Sequence, residues 1–394
     1  MSPTAAESCA AALAGLPGMT PRRLTALVSG RDPAAVWDEL VTPGARGPLH
    51  GRFAGPARTV DPVAVGERYE AAGVRVVLPG SPSYPGRLVG DPGAPAVLFA
   101  LGDPDRLRNR PSVAIVGTRS ATPYGRQVAT GLGRDLADAG VVVVSGLARG
   151  IDSAAHLGAL RSGAADPGRP VAVVGTGADV PYPAATAALW AEVAERGAVL
   201  TESALGTPPL PRCFPARNRI IAALAEVVVV VECHHRGGSL YTAEAAARRG
   251  IPVGAVPGSV KSRASEGTNG LLVDGCIPVR DAADVLVALS LAGSGKESAQ
   301  PLARTGTLVA ARGHGRAPVE TPPAGPGRPG PRSRRSPRPD SPAAAVLGAV
   351  EATPTPLETI LLRTGLSVGE VAGACAELVA AGSLRSGGGW WSTS

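Results

Sequence analysis

The chain has 394 residues, more than a single compact unit usually holds, which predicts two or three domains. Its formal net charge is +7, with lysine only at positions 261 and 296. A net charge of this size is weak evidence for nucleic-acid binding, so any binding face must come from local placement of arginine.

Residues 1–72 are predicted to form a small helical domain of the helix-hairpin-helix or SAM-like type. Apolar clusters alternate there with helix-starting pairs such as Thr20-Pro21 and Asp32-Pro33. The stretch LAGLPGMTPRRL, from Leu13 to Leu24, resembles a helix-hairpin-helix, whose glycine turn points backbone N–H groups at DNA phosphate. The usual second glycine is Thr20 here. A packing or protein-contact role therefore stays open beside phosphate binding.

The region 73–290 alternates strand-like runs with helical stretches. The runs are short and rich in valine, and they lie at 97–100, 113–116, 141–144, 171–174, 198–200, 227–231 and 253–256. Strands alternating with helices of about 10–15 residues predict an α/β fold. We expect an extended Rossmann-like, doubly wound parallel sheet, with its ligand crevice at the carboxyl ends of the strands.

Two of these runs end in loops that suit an anion. VAIVGTRSATPYG spans Val113 to Gly125, and VVVVSGLARGID spans Val141 to Asp152. Small residues let the backbone approach a ligand closely, and the N-termini of the following helices offer N–H groups. Arg119 and Arg149 stand beside these openings, which predicts an edge that recognises phosphate.

A dinucleotide-dependent enzyme is disfavoured by the next strand and its loop. VAVVGTGADV, from Val171 to Val180, begins like the dinucleotide-binding fingerprint but has Val180 in place of the third glycine. Pro181 and Pro183 then interrupt the helix that should follow. A lone G-x-G after a strand is a weak signal.

The remaining chain divides into a linker and a small domain. Residues 291–341 are rich in Gly, Pro, Ser and Arg and are predicted to be disordered. Between residues 311 and 340 there are seven arginines and two acidic residues, Glu320 and Asp340, so this segment has a net charge of +5. Residues 342–394 predict a winged-helix domain with helices at 344–350, 356–364 and 368–380 and a hairpin at 382–391. Its third helix has no Lys or Arg, which favours protein contact over reading of a DNA groove.

The cysteines and the apolar runs favour a cytoplasmic protein without a membrane segment. Five scattered cysteines lack CxxC spacing, which suits a reducing compartment. No secretory leader is evident, and no apolar run approaches the roughly 18 residues that span a bilayer. The sequence Cys233-His234-His235 is not expected to hold a metal, because neighbouring residues of a strand point to opposite faces.

Seven motifs in order carry a resemblance to a known family. They are VGTRSATPYG, SGLARGIDSAAH, AVVGTGADVPYP, TES, FPARNRII, GGSLYTAEAA and AVPG, between Pro82 and Asp281. Together they resemble the DNA-processing protein A family, also called DprA or Smf. The terminal helical and winged-helix domains suit the same family. The resemblance implies an extended Rossmann fold that binds and protects single-stranded DNA and helps to load the recombinase RecA during natural transformation (competence) and DNA recombination.

The resemblance also implies a set of DNA-binding residues. They are Gly117, Arg119, Ser145, Gly146, Ala148, Gly150, Arg217, Asn218 and Arg219. Guanidinium groups can clamp phosphates, and backbone N–H groups in a glycine-rich turn form an anion nest. Of Arg217 and Arg219, we expect one to face the ligand and the other to pair internally. A homodimer through the Rossmann domain is likewise implied.

Two positions depart from the family pattern. Many members carry a lysine after the YP of the third motif, where this chain has Ala184. Arg196, Arg212 or Arg217 could supply the missing cation. Gly238 replaces a serine of the common SGSL motif, so one hydroxyl donor is missing.

Catalysis is not expected, and no cofactor or metal is implied. Asp152 and His156 share a helix face, yet Asp152 sits where a helix cap is expected and His156 suits a buried polar position. The alternative is a nucleotide-processing enzyme that resembles the lysine-decarboxylase-like phosphoribohydrolases, with Glu244 as the counterpart of their catalytic glutamate. RGGSLYTAEAA lacks the leading proline and G-T pair of their signature. An adaptor acting only through its terminal domains would leave the arginine-bearing loops unexplained.

Overall fold

A computed structural model describes residues 2–44, 50–297, 341–350, 355–381, 383–387 and 390–393. The chain divides into two compact units, Met1–Leu302 and Ala303–Ser394. Within the described ranges, no helix combines the length and apolar character required to cross a membrane.

The first unit begins with helices, as the sequence predicts. In the described part they are α1 (Ala5–Gly15), α2 (Pro21–Val28), α3 (Pro33–Val41), α4 (His50–Ala57) and α5 (Pro62–Ala71). Proline starts α2, α3 and α5, and the side chains of Thr20, Asp32 and Asp61 cap these helices. Their core includes Trp37 and Phe53 and continues into Phe99 of the adjoining sheet.

A nine-stranded sheet follows in the same unit. Its strands are β1 (Val74–Val77), β2 (Leu98–Gly102), β3 (Ser112–Val116), β4 (Val142–Ser145), β5 (Val171–Val173), β6 (Ala198–Thr201), β7 (Val227–Val230), β8 (Val253–Ala255) and β9 (Ile277–Pro278). The order is β1-β2-β6-β5-β4-β3-β7-β8-β9. The seven strands from β3 to β9 pair in parallel, which confirms the doubly wound Rossmann-like sheet.

One strand runs against the expected direction. The run at 97–100 forms β2, which is antiparallel to both β1 and β6. A burial pattern alone cannot distinguish the two directions, because a strand covered on both faces is apolar throughout in either. The order of strands reverses between β3 and β7, so the ligand crevice is expected at their carboxyl ends.

Helices cover both faces of the sheet. They are α6 (Pro123–Asp138), α7 (Ile151–Leu160), α8 (Ala187–Arg196), α9 (Cys213–Leu224), α10 (Leu240–Ala247), α11 (Glu266–Val273) and α12 (Ala282–Glu297). Alternate residues of β3 pack against different helices: Ala114 and Val116 lie in the core with α9 and α10, and Val113 and Ile115 in that with α6 and α7.

Helix α12 continues through Glu297, past the predicted end of the domain at residue 290. Its first part packs into the core through Val285 and Leu289. The rest of the predicted linker, 298–340, lies outside the described residues.

The second unit is a winged helix. Its elements are α13 (Pro342–Ala349), β10 (Thr355–Pro356), α14 (Leu357–Thr364), α15 (Val368–Ala380), β11 (Leu384–Gly387) and β12 (Trp390–Thr393). The strands form an antiparallel sheet in the order β10-β12-β11. Val346, Ile360 and Val371 are fully buried between the helices. The predicted three helices and hairpin are thus confirmed.

Glycine sets the separation of α6 and α7, and this generates a stability prediction. A Cβ at Gly158 would overlap the carbonyl oxygen of Thr130, which belongs to the facing helix. Gly158→Ala is therefore expected to lower the free energy of unfolding by about 1–3 kcal/mol in urea titrations. Gly131→Ala on α6 is the control, since a Cβ there meets nothing within 4 Å. It should raise stability by about 0.5–1 kcal/mol. Similar values for the two variants would contradict the close approach of the helices.

Candidate functional site

The predicted site residues meet at the carboxyl edge of the sheet. Gly117 follows β3 and packs against Ile151 and the carbonyl oxygen of Glu232. Ser145 ends β4, and its buried hydroxyl donates to the carbonyl oxygen of Ile115 at 2.6 Å. These contacts fix the two loops to each other and to β7, so Gly117 and Ser145 shape the edge from within.

The loop between β4 and α7 is held closely against its neighbours. Leu147 and Gly150 both have positive φ, of 52° and 84°. Gly150 packs closely against the carbonyl oxygens of Thr118 and Arg119 and immediately precedes the first residue of α7. The half-buried Ala148 accepts hydrogen bonds from the backbone and side chain of Ser153. The loop therefore has one defined backbone path.

Arg217 lies inside the protein. Its side chain is 6% exposed, and its Nη1 donates to the carbonyl oxygens of Gly146, at 2.8 Å, and of Val173. Its Nη2 is 3.9 Å from Oδ2 of the buried Asp152. A Cβ at Gly146 would overlap the guanidinium group, so only glycine fits there. Burial lowers the pKa of Arg217 to about 10, against the opposing effect of Asp152, and leaves the group charged at neutral pH.

Asn218 and Arg219 are also engaged within the protein. Arg219 forms a two-pronged ion pair with Glu202, at 2.7 and 2.5 Å, and its pKa is raised mainly by this carboxylate against the cost of burial. The amide of Asn218 donates to the carbonyl oxygen of Gly238 at 3.3 Å and accepts from Nε of Arg217. Both neighbouring arginine side chains thus have internal partners.

Arg119 is the exposed cation of the predicted set. Its guanidinium carbon lies 5.2 Å from the centroid of the Phe214 ring, a cation–π arrangement. The Tyr182 ring is 5.4 Å from the same ring on a tilted plane and is 40% exposed. The three side chains come from the β3–α6 loop, the β5–α8 loop and α9. Among the described residues, Arg119 has no ion-pair partner.

Protein carboxylates occupy two positions at which an anion would otherwise bind. Glu232, after β7, accepts from the backbone N–H and the hydroxyl of Thr122, which caps α6. Asp152 lies in the first turn of α7. Burial raises the pKa of Asp152, while Arg217 and the amides of Ala148 and Gly146 oppose that rise. The expected anion nest thus faces an internal carboxylate.

The structure offers no solvent-facing acid–base pair at Asp152 and His156. His156 is fully buried, and burial, with Arg217 nearby, lowers its pKa to about 3, so the ring is neutral. The backbone of the neighbouring Ser145 opposes this fall in the pKa. In the described ranges, no group of three or more His, Cys, Asp or Glu side chains lies close enough to hold a metal ion.

Of the three arginines considered as replacements for the family lysine, Arg212 is the one open to solvent without an ion pair among the described residues. Arg217 is buried, and Arg196 pairs with Glu192 on α8. Ala184 itself is exposed on a short 3-10 turn, Ala184–Thr186. Arg212 immediately precedes α9, two residues before Phe214.

Sequence reasoning missed Phe214, Tyr182 and Glu232. The two aromatic residues lie within the motifs FPARNRII and VPYP, but the site was predicted from arginines and small residues alone. A pattern of aromatic residues beside arginine would have identified them, since nucleic-acid sites combine the two. Glu232 directly follows a buried strand, and its place at a helix N-terminus depends on tertiary packing.

Comparisons with known proteins agree with the motif order. A family model described as DNA recombination-mediator protein A matches residues 75–290, and a DprA winged helix domain matches residues 330–389. Protein Smf from Synechocystis sp. is 31% identical over 335 residues, 83% of this chain and 82% of that protein.

A second relative matches more strongly over a shorter region. DNA processing protein DprA from Streptococcus pneumoniae is 43% identical over 197 residues, which is 49% of this chain and 66% of the relative, just under two thirds of its length. The X-ray structure of DNA processing protein A from S. pneumoniae is 33% identical and covers 73% of this chain and 98% of its own, with a TM-score of 0.60.

The buried histidine generates a prediction about pH. Unfolding exposes His156, whose pKa then returns from about 3 to about 6.5, so the unfolded chain binds an extra proton between these values. The free energy of unfolding should therefore fall as the pH is lowered from 6.5. His156→Gln should reduce this slope by up to about 1.4 kcal/mol per pH unit. Urea unfolding at about pH 7 and pH 5 measures it, and parallel pH profiles would show that the ring titrates normally in the folded protein.

Proposed function

The chain belongs to the DNA recombination-mediator protein A family, and we propose that it binds single-stranded DNA at the carboxyl edge of its sheet. In this proposal it protects incoming strands and assists the loading of RecA in natural transformation and DNA recombination, in the cytoplasm and without catalysis. The match to the family model over residues 75–290 supports the assignment. The chemistry of the edge supports the ligand.

The observation that carries the proposal is the exposed Arg119 beside two aromatic rings. A guanidinium group binds a phosphate through paired N–H donors, and it does so without reading the base. Aromatic faces stack on bases of any sequence. Arg119, Phe214 and Tyr182 place the two kinds of contact within one short stretch of surface. Stacking needs an unpaired base, so this combination favours a single strand over a duplex.

The other predicted residues contribute, in our proposal, by building the edge. Arg217 holds the Ser145–Gly150 loop through its bond to Gly146, and Arg219 fixes α9 to the end of β6 through Glu202. Asn218 joins α9 to the loop at Gly238. Replacement of these side chains would disturb DNA binding by shifting the loops rather than by removing a phosphate ligand.

The nucleotide-processing alternative has less support. Glu244, the counterpart of the catalytic glutamate, pairs with Arg248 at 2.6 Å on the exposed face of α10. Glu232 occupies the N-terminus of α6, the position at the switch point where a bound nucleotide phosphate would gain most from the helix. A carboxylate fixed there repels that phosphate.

A homodimer is part of the proposal. Large apolar side chains are exposed near the end of the sheet that carries β8 and β9, namely Val273 on α11 and Val287 and Leu291 on α12, at 87%, 59% and 69%. Burial of such side chains against a second copy is a common source of association energy.

Replacement of Arg119 tests the central contact. Arg119→Ala should weaken single-stranded DNA binding for all base compositions, since phosphate carries no sequence information. The slope of log affinity against log salt should fall by roughly 0.7, because one phosphate ligand is removed. Arg161→Ala is the control, because Arg161 is an exposed arginine after α7 at the opposite edge of the sheet. Equal affinities and salt slopes for the two variants would reject Arg119 as a phosphate ligand.

Restoration of the family lysine gives a complementary test. Ala184→Lys should tighten single-stranded DNA binding by about 1 kcal/mol or less, because the new ammonium group stays solvated. Ala191→Lys adds the same charge on an exposed position of α8 and should leave affinity nearly unchanged. If the two variants behave alike in binding titrations at two salt concentrations, the turn at Ala184 does not border the DNA.

A further inference from the structure

A cleft of about 660 Å³ lies between the hairpin formed by α1 and α2 and the carboxyl edge of the sheet. One wall is the turn before α2 and the exposed side of α2 itself. The other consists of the ends of β5 and β6 and the start of α9. The cleft thus joins the helix-hairpin-helix-like motif, which the proposed function leaves without a role, to the edge that carries the proposed DNA site.

The cleft is apolar along its length and cationic on both walls. Leu24, Val174 and Leu210 are among its lining side chains. Arg22 on the hairpin and Arg212 on the opposite wall are exposed, and neither has an ion-pair partner in the part of the chain that the structure describes. Of the described residues lining the cleft, only Glu202 is acidic, and Arg219 neutralises it. This combination suits a ligand with flat apolar groups on an anionic backbone.

The cleft and the proposed DNA site share the chain segment at the start of α9. Arg212 immediately precedes α9, and Phe214 is the second residue of that helix, so both lie on the same short stretch of chain. Cys213 lines the cleft and adjoins Phe214 in α9, so a strand that stacks on Phe214 lies beside a lining residue of the cleft. Single-stranded nucleic acid alternates phosphates with flat bases, which matches exposed arginines beside an apolar lining.

We infer that the cleft receives further nucleotides of the same single strand, and that the hairpin acts as the second wall of the DNA path. This inference rests on the proposed function. Arg22 and Arg212 would bind successive phosphates from opposite sides, while bases lie against the apolar lining. The hairpin contributes through a side chain, because two N–H groups at its turn already have partners: that of Met19 donates to the carbonyl oxygen of Leu16, and that of Arg23 donates to the hydroxyl of Thr20.

The test compares a short and a long oligothymidylate, of about 6 and about 20 nucleotides, on the full-length protein. Arg22→Ala should weaken binding of the long strand about 3- to 10-fold and reduce its salt slope by roughly 0.7, with little effect on the short one. Ala26→Trp, which fills the cleft from an exposed position on α2, should weaken the long strand similarly. Arg68→Ala is the control, since Arg68 is exposed on α5 in the same helical region and does not line the cleft.

The outcomes separate the two claims. If the unaltered protein fails to bind either strand, or Arg119→Ala has no effect, the proposed function fails. If Arg119→Ala weakens binding while Arg22→Ala and Ala26→Trp match Arg68→Ala, the inference alone is rejected. Thymidine monophosphate distinguishes a free nucleotide from a strand as the source of the ligand. If Ala26→Trp abolishes binding of the monophosphate but leaves binding of the long strand intact, the cleft is a small-molecule site and the inference is overturned.

Discussion

The guanidinium group of Arg217, buried at the carboxyl edge of the sheet, is the interaction on which the rest of this edge depends. A buried charge is unfavourable unless it is paired and hydrogen-bonded. Here Gly146, Val173 and Asp152 provide those partners, so one side chain connects the β4–α7 loop, the end of β5 and the start of α9. Gly146 has no room for a side chain because the guanidinium lies against it.

This constraint divides the arginines by role. Arg217 and Arg219 are engaged by Asp152 and Glu202, and the N-terminus of α6 is occupied by Glu232. Carboxylates of the protein itself therefore occupy the positions inside this edge at which an anion could bind. The exposed arginines outside this network, among them Arg119 with its aromatic neighbours, remain for a ligand. A surface of that kind suits a continuous strand better than an enclosed nucleotide.

The sequence predicts the sheet well because burial on both faces leaves a clear signal. Valine-rich runs located seven of the nine strands, and helix-starting prolines located α2 and α3. The sequence could not assign the direction of β2, because that direction depends on the strands with which β2 pairs. The same limit applies to the site. The motifs predicted loops that meet at one edge of the sheet. Whether an arginine faces solvent or the interior depends on tertiary contacts that no local pattern encodes, and Arg119 and Arg217 look alike in the sequence.

The most direct test of this account is Arg217→Met, with stability and DNA binding measured on the same variant. Methionine removes the charge and leaves Asp152 buried without its partner. We expect a decrease of about 3–5 kcal/mol in the free energy of unfolding, and weaker single-stranded DNA binding whose salt slope is unchanged. A variant as stable as the original protein, with a salt slope lowered by roughly 0.7, would show instead that Arg217 contacts phosphate directly.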